Sequence, residues 1–339
     1  MKGSKFQTIV DIQQFPWKTG YSCANIFMGS CFTENVGNRM ADLKFDTDIN
    51  PFGILYNPVS VANGLWFLLQ NKEFTEADLI EANGLWHSFF HHGRFSFTDK
   101  QDTLEAINKR IKSSADFLEK AGFLFITFGT ACVYRYKKSG QIVSNCHKIP
   151  ANEFERVRLY VNEIVSEYEV LLKELKSKNP LLKIIFTVSP IRHWKDGAVE
   201  NQRSKSVLLL AIDEIITRMG SDFCAYFPAY EIVMDELRDY RFYADDMIHI
   251  SDFAVNHIWE KFQTSLFDTE SLLIMPQIQK IIKATNHKPL HKNSGEYLKF
   301  LKQMQEETLR LESSYSYLDL SSEKEYFKTE TDKIGKQIK

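Results

Sequence analysis

The sequence has no apolar run near the ~18 residues that a membrane-crossing helix needs, so no membrane span is expected. Its opening, MKGSKFQTIVDIQQFPWKTGY, carries lysine but no apolar core and does not read as a secretory leader. Charge of one sign is also missing. The 42 Lys and Arg face 44 Asp and Glu, a formal net charge of −2, so no global field draws nucleic acid or an anionic membrane. No CxxC pair occurs. The cysteines are five and scattered (Cys23, Cys31, Cys132, Cys146, Cys224), which leaves one over in any disulfide scheme and predicts reduced thiols in a cytoplasmic protein. His91-His92 and Cys146-His147 lack the ligand spacing of a zinc site, so no metal is expected, and nothing asks for another cofactor. No internal repeat is visible.

What is present is an ordinary globular chain of 339 residues, 44% hydrophobic and 25% charged. Apolar runs alternate with segments of helical period. NIFMG reads as a first strand, followed by a helix with Phe32, Val36, Met40 and Leu43 on one face. KFDTDI reads as a second strand, and a helix follows at PVSVANGLWFLLQ with Asn57 as its cap. Residues 71–100 are polar and aromatic and read as an insertion over one end of the sheet. After the helix at TLEAINKRIKSSADFLEKAG come a third strand, FLFITFG, and a hairpin over about 132–145. One long helix is expected over NEFERVRLYVNEIVSEYEVLLKELKSKNP. LKIIFTVSP and FCAYFPAYEIV supply strands four and five, with a helix from about Ser204 between them, and SDFAVNHIWEKFQ is the last core helix.

Five strands alternating with helices predict an α/β fold: a doubly wound, flavodoxin-like parallel sheet with helices on both faces. Residues 1–268 would form this domain. Residues 269–339 would form a helical C-terminal extension, with a solvated, partly disordered tail from about Ser321. Chemistry in such sheets sits beyond the carboxyl ends of the strands. GSC, FGTAC, SPIRH and DDMIH all fall at that edge.

Cys31 stands where the first strand turns into a helix, whose free N–H groups stabilise a thiolate or hold an oxyanion. A small buried cysteine would occupy the same place without chemistry. Asp246 lies three residues before His249, just ahead of the last helix. Nucleophile, base and orienting acid are then all present, in the manner of a triad recognised by roles.

IFMGSCFTENVG resembles the first block of the SGNH/GDSL hydrolases, and DDMIHIS resembles their last, Asp-x-x-His. GSCF, INPFGILYNPVS, FGTACVYR, NCHKIP and TVSPIRHWKDG together resemble the GSCFA family, over roughly Asn25 to Phe262. The resemblance implies a Cys31 nucleophile, a His249 base and an Asp246 orienting acid, with Ser30 in the place of the usual Asp. It implies an oxyanion-hole amide at Gly53. The third block departs, because Gly129 and Thr130 are followed by Ala131 and Cys132, so its Asn donor is missing. Such a loss costs about 3 kcal/mol of barrier. Asn145 is the candidate replacement, with turn-capping as its alternative role.

Arg192 and His193 follow the fourth strand and are candidates to orient substrate, as is His147; an ion pair or a loop hydrogen bond would explain them equally. Ser30 remains the alternative attacking group. The expected activity is acyl-ester hydrolysis of a small or glycan-derived ester, or acyl transfer through the same thioester. Two rivals are a ligand-binding member of the fold without turnover and a redox sensor built on Cys31. Neither a nucleic acid nor a membrane partner is expected, and oligomeric state is open.

Overall fold

The computed structural model describes residues 8–338. The first seven residues and the last residue of the expected tail lie outside the described residues. No described helix is long and apolar enough to cross a membrane. The chain divides into two compact units. The larger takes in the segment up to Trp17, Ala24–Asn38 and Thr47–Leu266; the smaller takes in Lys18–Cys23, Arg39–Asp46 and the chain from Phe267.

Through the larger unit the chain runs β1 (Asn25–Gly29), α1 (Cys31–Asp42), β2 (Thr47–Ile49), α2 (Pro58–Leu69), β3 (Ile80–Ala82), β4 (Leu85–His87), α3 (Lys100–Lys120) and β5 (Phe123–Phe128). It continues with β6 (Cys132–Tyr136), β7 (Ile142–Val143), β8 (Phe154–Arg158), α4 (Val161–Lys178) and β9 (Lys183–Val188). α5 (Gly197–Met219), β10 (Cys224–Tyr226), α6 (Ala229–Glu231) and α7 (Asp252–Leu266) complete it. The central sheet has the order β2-β1-β5-β9-β10, and every pair in it is parallel. This is the doubly wound order expected, and its switch point falls between β1 and β5.

Side-chain alternation divides the core between two faces. Ile26, Met28, Leu124, Ile126, Ile184 and Phe186 point to one, into a cluster with Val61 and Leu65 of α2, Ile107 of α3, Leu171 of α4 and Leu208 of α5. Phe27 and Phe125 point to the other, with ring centroids 4.5 Å apart, and Phe262 of α7 packs on Phe125 at 5.5 Å. Strands covered on both faces read as the continuous apolar runs seen in the sequence.

Several expectations are corrected. The helix foreseen from about residue 152 starts at Val161. Phe154–Arg158 is instead a strand, pairing antiparallel with β6 in the register Cys132↔Arg158. The physical reason lies at the boundary: Glu163 Oε2 accepts the Tyr160 N–H at 2.6 Å and fixes the helix start there. The foreseen hairpin is thus part of a three-stranded sheet, β7-β6-β8. The insertion at 71–100 contains the β3–β4 hairpin, and Phe89 packs with Val143 and Phe154. α5 begins at Gly197 rather than near Ser204, and the fifth strand spans only Cys224–Tyr226 before the chain turns helical. Asn57 caps α2 as expected, accepting the Ser60 N–H at 2.9 Å.

In the smaller unit, α8 (Thr269–Thr285), α9 (Gly295–Ser314) and α10 (Ser321–Ile338) follow one another. Asp268 and Ser294 cap the first two, accepting from Ser271 N and Tyr297 N. The expected frayed tail is α10. Phe327 and Ile334, seven residues apart and so on one face, are buried, and Lys324 pairs with Glu312 of α9.

Candidate active site

Gly29 ends β1 with φ +142°, a backbone conformation that a side chain would strain; a Cβ there would stand 2.2 Å from Thr127 O. Ser30 N–H donates to that same oxygen at 3.2 Å, while Gly29 N–H donates to Asn50 Oδ1 at 2.9 Å. These bonds tie the turn to the ends of its neighbours and start α1 at Cys31, at the switch point of the sheet.

Cys31 is half-buried, and burial pushes its thiol up from the ordinary value. The N–H groups of Phe32 and of Cys31 itself bond the sulfur and pull the other way, as does the charge of Lys205, whereas Glu34 pushes it up. Burial prevails, so the resting species is a thiol. Ser30 is almost fully buried, and its Oγ has no hydrogen-bond partner among the described residues.

His249 lies in the loop before α7. Ala244 N–H donates to His249 O at 2.8 Å and Met247 N–H to Ala244 O at 2.9 Å, closing a tight turn. Asp246 Oδ1 accepts the N–H groups of Ile248 and His249, and its Oδ2 lies 2.5 Å from His249 Nδ1. The bond from the imidazole, followed by those two amides, holds the Asp246 carboxyl down at about 2. The ring is therefore oriented by an ionised acid over the whole neutral range, with Nε2 left for chemistry.

A cavity of about 740 Å³ brings Ser30, Cys31, Asn145, Arg192, His193 and His249 into one lining. Among the described residues no hydrogen bond joins the Cys31 thiol to His249. Asp246 lines a neighbouring cavity that shares Arg192 and Ile248 with the first.

Besides Asp246, two predicted residues do not come to the cavity. The Gly53 amide donates to Asn50 O at 2.8 Å within its own turn, and it is Ile54 that reaches the lining. His147 is buried, with Nε2 2.8 Å from Ser88 O and its ring stacked on His87 at 4.3 Å; burial lowers it to about 4. That is a structural histidine. Asn145 does line the cavity, and its Oδ1 caps the turn by accepting the His147 N–H at 3.0 Å, a bond that does not use its Nδ2 donor.

At the third-block position Gly129 and Thr130 donate to Tyr56 O at 2.8 and 2.9 Å, and the Ala131 N–H goes to Ser204 Oγ at 2.7 Å. No free amide is left there. The side chain that meets this turn is His193, whose Nε2 is 3.0 Å from where a Cβ on Gly129 would stand and whose ring packs edge-on to Tyr56. Burial, then the charge of Lys205, lowers His193 to about 4, so at neutral pH its imidazole is uncharged.

Sequence reasoning missed Lys205. It is fully buried in α5, and Nζ donates to Gly129 O at 2.7 Å and Ser189 O at 2.6 Å, at the ends of β5 and β9. Burial lowers its amine to about 7. A signal existed: Asn201, Ser204 and Lys205 occupy the stripe that Leu208, Ile212 and Ile215 continue, so polar residues stand at core positions of an amphipathic helix. Among the described residues no group of three or more His, Cys, Asp or Glu is placed to hold a metal ion.

A search of the curated proteins finds no match. Among solved structures, a carbohydrate esterase family 3 from Talaromyces cellulolyticus aligns at 10% identity and a TM-score of 0.33, covering 77% of this chain and 98% of that one. The model of the GSCFA domain protein C-terminal domain matches residues 278–333, and that of the GSCFA family matches residues 25–262. With that second match spanning most of its length, the chain belongs to the GSCFA family.

Proposed function

We propose that the protein is an acyl-ester hydrolase of SGNH type in which cysteine replaces the nucleophilic serine. The observation that carries this reading is the shared cavity: a half-buried thiol at the head of α1 faces the same space as an imidazole held at 2.5 Å by Asp246. Both residues border the cavity, and Cys31 rather than Ser30 attacks, because the Ser30 hydroxyl is fully buried whereas Cys31 is only half-buried.

His249 takes the proton from the Cys31 thiol as the sulfur bonds to the ester carbonyl carbon. This couples proton transfer to attack, as burial of the thiol requires. The oxyanion receives the N–H of Cys31 and, in place of the missing third-block donor, Nε2–H of the neutral His193. The tetrahedral species collapses, and the alcohol leaves with the proton from His249. Water then gives a proton to His249 and its oxygen to the thioester, the acid leaves, and the thiol is restored. An alcohol or amine in place of that water makes the same chain an acyltransferase.

The test is hydrolysis of 4-nitrophenyl acetate, with intact-mass detection of the acylated protein. Cys31→Ala abolishes both, and His249→Ala lowers kcat by about 10²–10⁴. Full activity in Cys31→Ala removes the proposed nucleophile. Absence of turnover and of acylation in the wild type, on esters of several chain lengths, leaves a binding protein.

A further inference from the structure

The charge of the cavity is lopsided. Its lining holds three cations, Arg156, Arg192 and Lys195, and three imidazoles, His92, His193 and His249, and not one Asp or Glu side chain. Arg156 is neutralised, since Nε donates to Asp196 Oδ1 at 2.6 Å and Nη2 reaches Oδ2. The other two are not. Among the described residues no carboxylate pairs with Arg192; its Nη2 rests 3.5 Å from Met234 Sδ, a weak acceptor. Lys195 Nζ donates to the Tyr134 hydroxyl at 3.0 Å, a neutral partner. On its other side Arg192 borders the cavity that Asp239 and Asp246 line, but Asp239 pairs with Arg241 and Asp246 is taken up by His249.

Guanidinium groups at a protein surface ordinarily find carboxylates, and a fork left open toward a cavity is the geometry that binds carboxylate or phosphate. The chain as a whole is slightly acidic, at −2, so the cationic lining is local rather than a consequence of composition. We infer that the ligand of this cavity is an anion: an ester, or the acceptor of an acyl group, that carries a carboxylate or phosphate held by Arg192 and Lys195 while its carbonyl lies at Cys31. This rests on the reading of Cys31 as the reacting group only for the last clause; the anion site stands on the lining itself.

Alkylation of the wild-type chain by two reagents of equal size, iodoacetate (an anion) and iodoacetamide (neutral), tests it, with Cys31 followed by peptide mass spectrometry. The ratio of the two rates at Cys31, divided by that for the uncharged thiol N-acetylcysteinamide, is expected to exceed 1 severalfold at low salt, because Arg192 and Lys195 line the cavity that the thiol faces and outweigh the opposing charge of Glu34. It is expected to fall toward 1 in 1 M NaCl. Arg192→Met lowers the ratio severalfold, and the more exposed Lys195→Met lowers it less. Inorganic phosphate and benzoate are then compared as protectants of Cys31 against iodoacetamide: protection by phosphate alone assigns a phosphorylated ligand, and protection by benzoate alone a carboxylated one.

A ratio at or below 1 at low salt, or one unmoved by Arg192→Met and by salt, overturns the inference. So does failure of both anions to protect at tens of millimolar. A raised ratio in a protein that cleaves no ester leaves the anion site standing and removes the hydrolase. Cleavage of 4-nitrophenyl acetate with a ratio of 1 does the reverse.

Discussion

Lys205→Met isolates the buried amine without adding volume. In the folded chain Nζ is sealed from water, faces the carbonyl oxygens of Gly129 and Ser189, and is lowered from 10.5 to about 7 by burial. Two acceptors match the two N–H groups of a neutral amine. Below pH 7 folded and unfolded chains both carry the proton, and burial of the charge costs stability in full. Between pH 7 and 10.5 the unfolded chain keeps a proton that the folded chain has released, so stability rises with pH. The slope is ~1.4 kcal/mol per pH unit, which over an experimental window of pH 7 to 9.5 amounts to ~3 kcal/mol. Methionine has no such dependence and leaves two carbonyls without donors, at ~1–3 kcal/mol each. Urea unfolding of both proteins at pH 6, 7, 8, 9 and 9.5 reads the difference directly, because every other titration is common to the two and cancels. The expected result is a small difference at pH 6 that widens in favour of the wild type as pH rises. A difference that stays flat across the series, or narrows, refutes the assignment of a depressed, carbonyl-bound amine.

Other perturbations give equally definite outcomes. Gly29→Ala puts a methyl group 2.2 Å from Thr127 O at a φ of +142°, so the variant loses ~3 kcal/mol or more in thermal or urea unfolding; a loss under ~1 kcal/mol refutes the strain. Asp246→Asn removes the charge that holds His249 Nδ1 and lowers kcat on an acyl ester by about 10²-fold or more with KM little changed, whereas an unaltered kcat removes the orienting role. Phe327→Ala empties a buried site in α10 and destabilises the smaller unit by ~3–5 kcal/mol, read as loss of protection in hydrogen exchange over α8–α10; a frayed tail would show no change.

Where the sequence was legible, the reason is physical. The central strands are buried on both faces, so FLFITF and KIIFTV stand out as continuous apolar runs, and their helical spacers leave few ways to connect them. The GSC turn and the Asp246-x-x-His249 contact were legible because each geometry is local, set by three or four consecutive residues. The strand Phe154–Arg158 was not, because FERVR next to a long amphipathic helix satisfies helical period equally well. Only the unpaired edge of β6, a tertiary fact, selects the extended form. Gly53 failed for a similar reason. A glycine in a loop announces a turn, but whether its amide faces the cavity depends on Asn50, whose carbonyl accepts it. His193 and Lys205 come from two different segments and meet only at the ends of β5 and β9, so no spacing in the chain links them.

Under the proposed mechanism, the same two residues bear on how a site that lacks its third-block donor would work. A protonated His193 would add a charge to a lining already cationic. Its burial next to Lys205 keeps it neutral, and a neutral imidazole still has one N–H to give. Lys205 in turn is too deeply buried to touch a ligand, yet it holds the carbonyls that end β5 and β9. The thiol is thus pulled down by two amides and pushed up, more strongly, by burial and by the charge of Glu34. A sulfur so poised gives up its proton only when a base takes it during attack, which assigns to His249 a task that a resting thiolate would not need. Alkylation of Cys31 by iodoacetamide without substrate should therefore be slow at pH 7 and climb past pH 9, while ester turnover does not share that alkaline rise. Two coincident pH profiles would mean that the thiolate forms ahead of the substrate and that His249 is not its base.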